Sequence, residues 1–119
     1  MIVFASRTGN VRYIVSKLQA ELVEVADDLT LDKPYLLITY TDGFGSIPAK
    51  VSAFLDRNAA LCKGVVVSGN TNFGNTAYGA AGDKIAEAYN VPLIRKIDVR
   101  GNSTDYEAIQ NYYEKSVIM

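Results

Sequence analysis

Five apolar residues, Met1 to Ala5, run directly into Ser6-Arg7-Thr8-Gly9-Asn10 and then into apolar positions at helical spacing. That succession reads as strand, polar loop and helix, and it limits the chain to folds in which crossover helices pack on a parallel sheet. The loop also carries chemistry. At a strand-to-helix junction the first main-chain N–H groups have no intrahelical acceptor, and the helix dipole adds partial positive charge. Ser6, Thr8 and Asn10 offer side-chain donors at alternate positions, Gly9 lets the main chain approach closely, and none of the five residues is acidic. The segment reads as an anion cradle with a phosphate ester as its expected ligand. An ordinary capped helix start is the alternative, and the strand-loop-helix context favours the cradle.

Val11, Ile14, Val15, Leu18 and Leu22 share one helical face, which predicts a helix over about Val11 to Ala20. A short second strand follows. Tyr35 to Tyr40 is an almost wholly apolar run behind Pro34, as in a central strand buried on both faces. Pro48 suits the first turn of a second helix whose apolar face is Val51, Phe54 and Leu55. Gly64 to Ser68 is the fourth strand, and Ala81, Ile85, Ala88 and Tyr89 mark a third helix. Pro92 to Val99 is the fifth strand, where Ile97 and Val99 alternating with Lys96, Asp98 and Arg100 predict a sheet edge. Thr104 and Glu107 form a capping-box pattern ahead of a final helix that buries Tyr106, Ile109, Tyr113 and Val117. The sum is an α/β chain, residues 1–119 in one domain, with a doubly wound five-stranded parallel sheet of order 2-1-3-4-5 and helices on both faces. One stretch resists this pattern. Only about eight residues, Ala26 to Lys33, join the second and third strands, too few for a crossover helix.

With 49% apolar residues in 119, the chain can hide a core without staples. Twelve basic residues against 13 acidic ones, with no block of like charge, give no footprint for nucleic acid or a membrane surface, so neither partner is expected. The complete lack of histidine excludes Ser-His triads, imidazole acid–base chemistry and histidine-ligated metals; no catalytic residue and no metal ligand is assigned. Cys62 is alone and precedes an apolar run, which reads as a buried strand start in a reducing compartment. The opening apolar stretch is too short for a signal or a membrane span, so a cytoplasmic protein is expected.

Two further loops emerge at the same sheet end as the cradle. Thr41-Asp42-Gly43-Phe44-Gly45-Ser46 flanks an aromatic residue with glycines, a main chain able to lie against a flat ring and present a carbonyl or an N–H to it, where a plain tight turn is the alternative. Gly69-Asn70-Thr71-Asn72-Phe73-Gly74-Asn75-Thr76 has three asparagines, two threonines and no carboxylate, which suits a heterocycle with imide and carbonyl edges. Phe73, or else Tyr78, could stack on that ring, against the alternative that each packs into the core.

A phosphate cradle with two ring-facing loops resembles the flavodoxins, which bind FMN. The chain departs from their fingerprint at Val11, where a hydroxyl residue usually follows the Gly-Asn pair, and Arg7 is placed to compensate in part. It is also shorter, and Asp42 and Asp83 are the only carboxylates expected near the loops. Ser6-Arg7-Thr8-Gly9-Asn10, Gly43-Phe44-Gly45 with Pro48 and Val51, Gly69-Asn70 with Asn72-Phe73-Gly74, and Ala81-Gly82-Asp83 together resemble the NrdI family, over nearly the whole chain. The resemblance implies an FMN-carrying electron-transfer protein. It would deliver reducing equivalents or a reduced oxygen species to the small subunit of class Ib ribonucleotide reductase, where a dimanganese-tyrosyl radical cofactor is assembled, and it would need a flavin-reducing electron donor. FMN would be held by Ser6, Arg7, Thr8, Gly9, Asn10, Val11, Thr41, Asp42, Gly43, Phe44, Gly45, Gly69, Asn70, Asn72, Phe73 and Gly74. Few carboxylates beside the ring would weaken the like-charge penalty on its fully reduced anionic form. Phe44, Ser46 and Ile47 on one side and Asn75 to Tyr78 on the other would rim the partner's docking surface.

A general flavodoxin shuttling single electrons shares all three loops and is the nearest alternative. A receiver domain needs acidic residues after the first strand, where this chain has Ser6 and Arg7. A low-molecular-weight phosphatase needs a cysteine in the first loop, and Cys62 is elsewhere.

Overall fold

Successive residues of a strand face opposite sides of its sheet, and here both sides are apolar, so helices must cover both. The computed structural model describes residues 1–43, 45–73 and 77–118. In it β1 (Ile2–Phe4), β2 (Leu22–Glu24), β3 (Tyr35–Tyr40), β4 (Cys62–Gly69) and β5 (Leu93–Asp98) form one parallel sheet in the order β2-β1-β3-β4-β5. Ile2, Phe4, Leu36, Ile38 and Val66 face α1 (Asn10–Val15) and α4 (Ser103–Ser116). Val3, Tyr35, Leu37 and Val65 face α2 (Ala49–Asn58) and α3 (Ala80–Tyr89). Each large side chain so buried stabilises the fold by about 1.5–3 kcal/mol. The expected sheet order and double winding are what the chain adopts, with β5 at an edge. Among the described residues, no helix is long and apolar enough to cross a membrane.

On the second face Tyr35 meets Phe54 edge to face, with ring centroids 5.5 Å apart, and donates its hydroxyl to the Asn58 carbonyl at 2.8 Å. Gly82 sits where a Cβ would come within 2.7 Å of Val67 Cγ1 and 2.8 Å of Leu93 Cδ1, so its bare backbone is what lets α3 lie close on β4 and β5.

The residues between β2 and β3 contain no helix, as their number requires. A buried asparagine organises them instead. Asn58 accepts from the Leu31 N–H at 2.8 Å and donates to the Leu29 carbonyl at 2.9 Å, tying the connection to the end of α2.

Several local expectations are corrected. The first helix stops at Val15 instead of continuing to Ala20, because the chain must return to pair β2 with β1. Tighter bonds, Lys17 N–H to Ile14 and Leu18 N–H to Val15, finish the turn and keep Leu18 buried, whereas Leu22 belongs to β2 and is 40% exposed. The α4 capping box is built by Asn102 and Asp105, two residues ahead of the Thr104 and Glu107 pair. Ala88 lies on the exposed side of α3, and Val99 lies beyond the end of β5.

Candidate functional site

The loops after β1, β3 and β4 converge at the carboxyl end of the sheet around a cleft of about 240 Å³. Ser6, Arg7, Thr8, Asn10 and Val11 form one side of it. Gly9, at φ +97°, takes the left-handed turn from which α1 starts, a conformation that favours glycine. Ser6 Oγ accepts from the Arg12 N–H at 3.3 Å and so serves the helix start. Among the described residues, none accepts from the main-chain N–H groups of Thr8, Gly9, Asn10 and Val11. Asn10 is oriented from across the sheet. Its Oδ1 accepts from Arg100 Nε at 3.3 Å, which leaves its NH2 group free to donate, while the Arg100 guanidinium rests over the Tyr13 ring at 4.7 Å.

On the β3 side, Thr41 donates both its N–H and its hydroxyl to the Ser68 carbonyl, at 3.1 and 3.2 Å. Asp42 and Ser46 then pair as an isolated antiparallel bridge through reciprocal main-chain bonds of 2.9 and 2.8 Å. Asp42 Oδ1 caps the Gly43 N–H at 3.1 Å and meets Arg7 at 3.3 Å, and Arg7 also lies over the Tyr40 ring at 5.4 Å. Both partners of that ion pair are well exposed, so its worth lies in joining the first loop to the second more than in stability. Burial, together with the Asp42 carboxylate, pushes the Tyr40 phenol above its ordinary value, with Arg7 opposing. Gly43, at φ +51°, lines the cleft. Gly45 is buried against α3, where a Cβ would stand 2.8 Å from that of Ala80.

Gly69 and Asn70 complete the β4 side. Asn70 Oδ1 accepts from the Asn72 N–H at 2.9 Å, a local turn that places Asn72 on the exposed surface outside the cleft lining. Tyr78 is half-buried and is not among the described lining of the cleft, its carbonyl accepting from Lys96 at 3.2 Å. Of the docking rim, Ser46 is exposed and Ile47 packs partly on the core. Phe44, Gly74, Asn75 and the Phe73 side chain lie outside what the structure describes, as does Thr76.

The expected acidic inventory needs one correction. Asp98, at the end of β5, accepts from the Thr71 N–H at 3.1 Å and from its hydroxyl at 3.3 Å, so a third carboxylate joins Asp42 and Asp83 near the loops. The ends of β4 and β5 are neighbours, a relation invisible along the chain. Asp83 is neutralised by Lys96 at 2.7 Å. None of the described lining residues is acidic, and Arg7 alone among them carries charge, which makes the cleft suited to an anion.

Sequence reasoning missed Tyr40, Ser68 and Val99 in the lining, and Arg100 behind Asn10, whereas Ala77, expected on the rim, does line the cleft. Tyr40 and Ser68 close the strands that lead into the loops, a position that would have nominated them. Val99 has φ +56°, a left-handed backbone that is unfavourable for a β-branched residue by about 1–3 kcal/mol.

A family model described as "NrdI Flavodoxin like" matches residues 2–111. The SPbeta prophage-derived protein NrdI of Bacillus subtilis is 37% identical over 110 residues, covering 89% of this chain and 84% of its own. Protein NrdI of Bacillus licheniformis is 38% identical over 117 residues (98% and 88% covered), and that of Macrococcus caseolyticus 37% identical over 131 (99% and 97%). Among solved structures, a short-chain flavodoxin associated with a bacterial microcompartment superposes with a TM-score of 0.71, covering 95% of this chain and 92% of its own at 19% identity; that likeness speaks to fold alone.

Proposed function

The chain belongs to the NrdI flavodoxin-like family, and from that premise we propose that it binds FMN and transfers electrons for class Ib ribonucleotide reductase. It supplies reducing equivalents or a reduced oxygen species to the reductase small subunit as the dimanganese-tyrosyl radical cofactor is assembled. The observation that carries the reading is the cleft itself, with no acidic residue among its described lining and a run of main-chain N–H groups, Thr8 to Val11, that no described residue accepts from. Such a donor set fits a phosphate monoester and would repel nothing about it.

Thr8 Oγ1, the Asn10 NH2 group and the four N–H groups would hold the phosphate, with Arg7 adding charge. Thr41, Gly43, Gly69 and Asn70 would face the ring. Bound there, FMN would supply reversible uptake of electrons. The protein's part is to grip, to orient through Arg100 and Asp42, and to leave one side open for a partner at the rim near Ser46.

Purified protein should be yellow, or become so with added FMN, and should release FMN and not FAD on denaturation. It should also activate a manganese-loaded class Ib small subunit given oxygen and a reductant. Protein that stays colourless in excess FMN overturns the cofactor assignment; FMN-loaded protein that fails to activate the subunit overturns the partner.

A further inference from the structure

The cleft has a fourth wall, supplied by the turn that follows β5. Val99 lines the cleft in its left-handed conformation, and its main chain is clamped on both sides: its N–H donates to the Gly69 carbonyl at 2.7 Å, and its carbonyl accepts from the buried Ser68 hydroxyl at 2.5 Å. The next two residues are fixed as well. The Arg100 carbonyl accepts from the Tyr106 hydroxyl at 2.6 Å, and Gly101, also left-handed, donates to Asp98 at 3.0 Å. A left-handed residue flanked by a fixed glycine turn is most easily an asparagine or another glycine. A branched apolar residue is the poor choice there for stability, and strain of this kind persists only where the surroundings over-determine it.

We propose that Val99 is a strained positioning residue: the turn sacrifices stability to put an apolar branched side chain into the wall of the nucleotide cleft, where it fixes how the ligand seats. This rests on the cofactor reading above and names a residue of the same site. Val99 is 37% exposed, so little core burial explains its identity. The clamps on its main chain use no side-chain atom of Val99 and would survive its replacement.

The test compares Val99→Asn, Val99→Gly and Val99→Ile with the parent, reading thermal midpoint without ligand and FMN affinity by fluorescence quenching. Relief of strain should raise the ligand-free midpoint of Val99→Asn by a few degrees, while its FMN dissociation constant rises about tenfold. Val99→Gly should show the same loss of affinity, and Val99→Ile should retain parental affinity and midpoint. A ligand-free midpoint of Val99→Asn at or below the parent removes the strain; unchanged affinity in both Val99→Asn and Val99→Gly removes the wall. Either result overturns the proposal. Failure of the parent to bind FMN at any concentration overturns the cofactor reading separately, with the midpoint comparison still deciding whether the turn is strained.

Discussion

Asn10 illustrates how a residue's neighbours decide what it can do. Its polar end offers one acceptor and one donor group, and Arg100, 90 positions away, occupies the acceptor. What remains facing the cleft is a donor. Arg100→Ala frees Asn10 to rotate and removes a cation near the cradle, so FMN affinity should fall about tenfold, equivalent to about 1.4 kcal/mol, with the folded state retained. A fluorescence titration checks the affinity, and unchanged binding would mean Asn10 is held by its backbone alone. The first loop announced its place beside the cleft because strand, glycine and helix are adjacent in sequence. The second-layer arginine did not, since nothing local marks a charge that acts across the sheet. Asp98 escaped notice for the same reason. Gly45 and Asn72 carry a subtler lesson: glycine and asparagine suit ring-facing loops and tight turns equally, and here both residues serve the loop's own shape.

At the scale of elements, the chain's apolar spacing predicted β3 to the residue and placed the four α-helices, because those segments bury a periodic face. Ends were less legible. Helix α1 stops where topology demands that β2 begin, and periodicity cannot register this, since Leu18 stays buried through a tighter turn. At the start of α4 the cap is Asn102 with Asp105 instead of the expected Thr104 with Glu107, and Asp105 also holds Arg95 at 2.6 Å, which ties the helix start to β5. That second tie favours the earlier register. Asn102→Ala removes the cap from the Asp105 N–H and should lower stability by about 1 kcal/mol, whereas Thr104→Ala should change it by less than about 0.5 kcal/mol. Urea unfolding of the two variants distinguishes the boxes directly.

Across the whole molecule, protonation responds to burial. Tyr35 and Cys62 are both pushed above their ordinary values chiefly by burial, and the same cause raises Tyr78, Tyr89, Tyr112 and Tyr113. Raised values mean that the folded state keeps protons which the unfolded chain releases first. Stability is therefore fully present below the ordinary thiol value of 9.0 and falls as pH rises past it and past the ordinary phenol value of 10.0. Denaturant midpoints should decline from pH 9 to pH 10.5, above the window in which the buried Met1 ammonium titrates, and Tyr35→Phe should show a shallower decline from a lower start, because the Asn58 carbonyl loses its donor. A rising or level series would contradict the assignment. With no histidine in the chain, no imidazole can add a slope near neutrality.

The glycine under α3 has a mechanical corollary. Side chains of Val67 and Leu93 fill the space where Gly82 has none, so the helix is keyed to the sheet and cannot slide along it. The helix therefore passes any displacement along its length to β4 and β5 beneath it, and the three move as one body.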